Sequence, residues 1–201
     1  IYYTLNGTKE KKYDGPITIT KDVTISCRTF KEGKWSKEVT ANYYKIDNKK
    51  SIVLQSQYAN QYAAAGDKTL IDHLKGGENY RTGNWQGFRE NLIATVDLGV
   101  EKEISTISLG CLQDIRSWIF FPTKIEIFTS TDNEIYTRLS SITNTFSDTI
   151  EGTFTKDFIF KTHPIQARYI KVKAENYGVC PEWHLGAGGK TWLFVDELTI
   201  K

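Results

Sequence analysis

The chain has 201 residues, with 26 basic against 24 acidic side chains and a formal net charge of +2. That length suits one medium domain or a small domain joined to a larger one, and the near balance of charge excludes an electrostatic footprint for nucleic acid or an anionic membrane. No apolar run approaches the roughly 20 residues needed to span a bilayer, and no basic-then-apolar leader opens the chain.

In chain order, IYYTLNGT at positions 1–8 reads as a strand already under way, so the chain is expected to belong to a longer protein. Ile17 and Ile19, then Val23, Ile25 and Cys27, alternate with polar residues around Lys21-Asp22 and predict a hairpin. A second turn, EGKW at 32–35, leads to Val39, Ala41 and Tyr43. Residues 1–46 therefore read as a small antiparallel β unit, marginal alone by size. The polar stretch IDNKK at 46–50 marks a boundary, with 47–50 as the linker and 51–201 as a second domain. In that domain strands are expected near Ser51–Leu54, Ile93–Asp97, Ile104–Leu112, Thr123–Ser130, Tyr136–Ile142, Thr153–Lys161, Ala167–Glu175 and Thr191–Ile200. Turns separate them, and only Gln61–Asp72 hints at a helical turn, which argues for an all-β antiparallel sandwich.

The long loops, 73–92, 113–122 and 176–190, carry many of the polar aromatics and are the expected seat of function. The last holds WHLGAGGKTW, whose GGKT invites a phosphate-loop reading. That motif needs a glycine five residues before Gly189, where His184 stands, and a helix after Lys190-Thr191, where a strand-like WLFV follows. The glycines are better read as letting a loop bearing Trp183 and His184 fold back beside the other two. Sugar recognition needs rings to stack on a pyranose and planar groups for its hydroxyls. The loops supply Tyr80, Arg81 and Asn84; Gln113, Asp114, Arg116 and Trp118; and Tyr177, Glu182, Trp183 and His184. Trp85 is read as core, and Trp118 as either exposed or buried. Cys27, Cys111 and Cys180 lack metal-ligand spacing and cannot all pair, so buried free thiols are expected, with a Cys111–Cys180 bridge left open.

The text of residues 1–36, IYYTLNGT…YDGPITITKDVTISCRTFKEGKWS, resembles the small β domain near the C-terminus of chitobiases and β-hexosaminidases. The remainder resembles a discoidin, or F5/8 type C, domain of the galactose-binding type: TLIDH at 69–73, NYRTGNWQGF at 79–88, ATVDLG at 94–99, LQDIRSWIFFP at 112–122, TSTDNEIY at 129–136, ARYIKVKAENYG at 167–178 and WLFVDELTI at 192–200 occur in the family's order. The resemblance implies a discoidin-like jelly-roll sandwich, and a structural calcium held by the Asp72 and Glu197 side chains with carbonyls of Thr69, Asp196 and Gly77. His73 stands where the family has glycine, which leaves that turn's geometry open. An Asp-Glu pair is catalytic in β-hexosaminidases, but Asp196-Glu197 lies inside a strand, where neighbours point to opposite faces unless a bulge intervenes.

The reading that results is a noncatalytic carbohydrate-binding region of a secreted or periplasmic/cell-surface glycoside hydrolase, taking amino-sugar or galactose-type glycans. Its expected partners are a glycan and the catalytic domain of the same parent chain, with no nucleic acid and with a membrane disfavoured by the near-zero charge. A structural spacer without its own ligand, or adhesion to protein or lipid through the SWIFF tip at 117–121, are the alternatives.

Overall fold

The computed structural model describes residues 1–46 and 49–201. It divides into two compact units, Ile1–Asp47 and Asn48–Lys201; positions 47 and 48 of the expected linker lie outside the described residues.

The first unit comprises β1 (Tyr2–Leu5), β2 (Lys11–Lys12), β3 (Val23–Arg28), β4 (Phe30–Lys31), β5 (Lys34–Trp35) and β6 (Val39–Tyr43). A four-stranded sheet runs β2-β1-β3-β6, and β4-β5 form a separate hairpin. Glu32 and Gly33 turn that hairpin with φ of 51° and 78°, the doubly left-handed turn whose twist matches its strands. The hairpin expected around Lys21-Asp22 does not form. Both edges of β3 are taken, by β1 and by β6, so Ile17 and Ile19 have no edge to join and lie outside any strand. None of the described residues of this unit is fully buried. Its packing rests on half-exposed rings, with Trp35 edge-on to Tyr2 at 5.1 Å and the Arg28 guanidinium 4.0 Å above Trp35.

The second unit is built from β7 (Ser51–Leu54), β8 (Gln86–Phe88), β9 (Leu92–Asp114), β10 (Lys124–Ser130), β11 (Thr137–Thr143), β12 (Thr153–Ala174) and β13 (Leu193–Ile200), with short 3-10 turns at Asn60–Tyr62, Gly66–Ile71, Tyr80–Thr82 and Ile115–Ser117. Four of the expected strands merge into two, β9 and β12, which pair with each other from Asp114↔Thr153 to Leu92↔Ala174. Their ladder shifts register between Lys161 and Ile165 and again between Ala167 and Tyr169. Pro164, which has no N–H to give, falls in the first gap. Across these shifts the neighbours change. The C-terminal half of β12 pairs with β10, and the N-terminal half of β9 with β7, whereas the C-terminal half of β9 pairs with β13. The chain text that suggests a break is thus a bend, and each long strand serves two layers: β11-β10-β12-β9-β7 and β12-β9-β13-β8.

One hydrophobic cluster lies between the layers. Val96, Ile125, Ile127 and Val172 from the first meet Leu109, Phe158, Phe160 and Val195 from the second. At the bend Asp97 accepts both guanidinium hydrogen bonds of Arg168, at 2.9 and 3.0 Å, and the Gly99 N–H at 2.7 Å. These bonds hold its carboxyl below the usual carboxylate range. Trp85 is core, as its text suggests, with 1% exposure. All three cysteines are free. Cys111 belongs to the main cluster, and Cys180 to a separate one with Ile115 and Phe120.

Candidate functional site

Two of the three long loops meet. The 3-10 turn Ile115–Ser117 ends on Trp118, whose φ of 64° is left-handed, and the 178–191 segment folds back over it. Val179 bridges Lys190, the Cys180 N–H donates to Gly189 O at 2.8 Å, and the Thr191 hydroxyl donates to Asn176 Oδ1 at 2.6 Å, which closes the loop at its base. The glycines of LGAGG have a specific use. A Cβ on Gly186 would stand 2.5 Å from Trp118 Cε2, and one on Gly189 2.6 Å from Cζ3. Only bare backbone can lie this close to the indole.

Between these loops opens a cavity of about 620 Å³. Arg116, Trp118, Trp183 and His184 line it together with Ile115, Glu151, Leu185 and Gly186. Trp183 is 49% exposed and Leu185 fully so, while Arg116 donates from a terminal nitrogen to Glu151 Oε2. His184 is buried, and both of its nitrogens are occupied. Nδ1 accepts from the Gly186 N–H at 2.9 Å, so Nε2 carries the hydrogen and donates to Ile115 O at 2.6 Å. His184 therefore shapes the wall and leaves no ring nitrogen for a ligand.

The other candidate residues lie outside this lining. Tyr80 packs edge-on to Tyr62 at 5.9 Å and to Phe194 at 5.5 Å. The Arg81 guanidinium covers the Tyr80 ring at 4.6 Å, and Asn84 donates to Lys75 O at 3.2 Å. The first loop thus spends its polar groups on its own turn. Gln113 is buried, donating to Ser147 O at 2.9 Å, and Asp114 accepts from the Ser117 hydroxyl at 2.8 Å. Tyr177 stacks on Phe120 at 4.5 Å and donates to Asp148 Oδ2 at 2.5 Å. Burial, and then that hydrogen bond, push its hydroxyl up to about 12. Glu182 is exposed beside Trp183. Glu151 was not indicated by the sequence, because it sits in the 144–152 turn between β11 and β12, a short connection with no motif whose one ring, Phe146, packs on Phe121 and Phe154. The SWIFF tip is closed: Ile119, Phe120 and Phe121 are each at most 1% exposed, so no apolar finger projects there.

Asp196 and Glu197 converge, contrary to plain strand alternation. β13 shifts register against β9 between Val195 and Leu198, and this irregularity turns both carboxylates toward one turn. Asp196 Oδ2 accepts from the Gly76 N–H at 2.8 Å, and Glu197 Oε2 from the His73 N–H at 2.9 Å. Both are at most 3% exposed. His73 keeps the glycine-like turn, with φ of 66°, at a cost of about 1–2 kcal/mol.

Among the described residues no group of three or more His, Cys, Asp or Glu assembles for a metal. The calcium donors in question are two carboxylates and loop carbonyls. Burial raises the Glu197 carboxyl to about 8, with the Asp72 charge adding to it. Burial likewise raises Asp72. Two part-desolvated carboxylates that sense each other's charge are donors of the kind a hard cation takes. Thr69 is buried with its hydroxyl donating to Gly66 O at 2.8 Å, and Gly77 O already accepts from Trp85 Nε1 at 2.8 Å. The Asp196 side chain faces Lys75, whose Nζ lies 3.7 Å away and bonds Asp157 at 2.5 Å.

The family profile described as F5/8 type C domain matches residues 49–189, and that described as chitobiase/beta-hexosaminidase C-terminal domain matches residues 1–41. No curated protein matches the chain. Solved structures similar to it include CpGH89CBM32-5 of Clostridium perfringens in complex with GalNAc-β-1,3-galactose, 18% identical, with a TM-score of 0.48 over 76% of this chain and 94% of that one. Another is the C-terminal domain of a chitobiase from Bacteroides fragilis, 16% identical, with a TM-score of 0.49 over 78% and 95%. A third is the family 32 module of C. perfringens NanJ in complex with galactose, 20% identical, with a TM-score of 0.45 over 76% and 93%. The chain belongs to the F5/8 type C domain family, and a unit of the chitobiase/β-hexosaminidase C-terminal type precedes that domain in sequence.

Proposed function

We propose that the chain is a noncatalytic carbohydrate-binding region that holds a secreted glycoside hydrolase of the same parent protein near amino-sugar or galactose-type glycans. The observation that carries this reading is the cavity in which two indoles, Trp118 and Trp183, stand beside the Arg116–Glu151 pair. Indoles take the C–H face of a pyranose, and a guanidinium with a carboxylate serves hydroxyls as donor and acceptor. So few contacts give micromolar-to-millimolar affinity, enough to raise the local concentration of a tethered catalytic domain. Trp183→Ala is expected to weaken binding about tenfold or more, as loss of an aromatic anchor does. Isothermal titration with galactose, N-acetylgalactosamine and N-acetylglucosamine checks it; full affinity in the variant would remove the site from the cavity.

Asp72 and Glu197 are proposed to hold a structural calcium with carbonyls of Thr69, Asp196 and Gly77, pinning the 72–77 turn to β13. At calcium near 100 times Kd the stabilisation is about 2.7 kcal/mol, which for a domain of this size raises Tm by about 5–10 °C. Calorimetry in calcium and in chelator measures the shift, and an unmoved Tm rejects the ion.

A further inference from the structure

The cavity wall carries one charge of each sign. Arg116 alone would make it a receptor for carboxylates, because the guanidinium fork matches them in a bidentate way. Here the fork is engaged by Glu151, and both side chains stay open to solvent, 75% and 64% exposed. His184 spends both ring nitrogens on backbone partners. Ile115, Trp118, Trp183 and Leu185 are apolar.

Resting on the glycan reading of this cavity, we propose that Glu151 determines specificity, making the site select neutral sugars and reject those bearing a carboxylate. The pair keeps unused valences that suit hydroxyls. Of the five guanidinium N–H groups one is engaged by Glu151, and among the described residues Glu151 Oε1 takes no hydrogen bond. A neutral pyranose offers both donors and acceptors to this couple without breaking it. The carboxylate of a uronic acid offers acceptors alone, so where it meets the pair it must either displace Glu151 from Arg116 or lie against a like charge. At about 4 Å in water that repulsion weakens binding about fivefold.

Two pairs of sugars that differ in oxidation at C6 isolate the charge: galactose with galacturonic acid, and glucose with glucuronic acid. The whole chain and its Glu151→Gln variant are titrated with all four at low salt. The native chain is expected to bind the better neutral sugar at least about fivefold more tightly than its acid. In Glu151→Gln that ratio is expected to fall to one or below, because Arg116 is freed for the carboxylate. Exposed pairs contribute little to folding, so Tm should be unchanged, and added salt should shrink the native ratio. A native chain that binds galacturonic acid as well as galactose, or a ratio that Glu151→Gln leaves in place, overturns the role of Glu151. Silence toward all four sugars and their N-acetylated forms overturns the cavity reading itself, and this proposal with it.

Discussion

Trp85→Ala is expected to destabilise the second unit by about 3–5 kcal/mol, the range for deleting a large buried aromatic ring. The indole is 1% exposed and packs with Leu112, Ile119 and Phe194. Its Nε1 satisfies Gly77 O at 2.8 Å, and Gly76 lies so close that a Cβ there would be 2.1 Å from Cε2. The substitution therefore opens a void, removes the partner of a part-buried carbonyl and loosens the turn that bears Asp72 and His73. Urea unfolding followed by circular dichroism measures the loss. A change under about 1 kcal/mol would mean that the turn collapses onto the gap and that the ring is no keystone.

Gly186→Ala is expected to weaken binding in a chain that still folds. One methyl placed 2.5 Å from Trp118 cannot be absorbed by the glycine's own loop, which is tied to Cys180 and to His184 by backbone hydrogen bonds. The indole must shift instead, and overpacking of this kind costs about 1–3 kcal/mol. The cavity wall moves with the ring, so affinity for the best sugar should fall about tenfold or more while the chain remains folded, in line with the sensitivity of anchoring aromatics. Tryptophan emission and titration on the same sample separate the two effects. Native affinity with a displaced emission maximum would show that Trp118 is wall and not contact.

Much of the architecture was legible because period-two alternation survives even where a strand bends. The text around 99–103 and 162–166 reads as a break, since most of its residues are polar and it includes Gly99 and Pro164; pairing partners, which only the fold supplies, make it continuous. Ile17 and Ile19 alternate as well as any strand does, but alternation cannot say that both edges of β3 are taken. At the site, Trp183 was legible from the proline and glycines around it. Arg116 and Trp118 were legible as loop residues of the right chemistry. His184, Gln113 and Tyr177 have that same chemistry, yet they spend it on Ile115 O, Ser147 O and Asp148. Nothing local distinguishes a free polar atom from a committed one. Glu151 joins the wall through a turn 35 residues away from Arg116 in sequence, a proximity that no spacing rule conveys.

The two long strands that thread both layers bear on how the second unit comes apart. A sandwich of separable sheets can peel, one leaf at a time. Here neither leaf owns its central strands, so opening either one tears the ladder of the other. Such a body is expected to hold its rim loops in one geometry until the whole unit is lost.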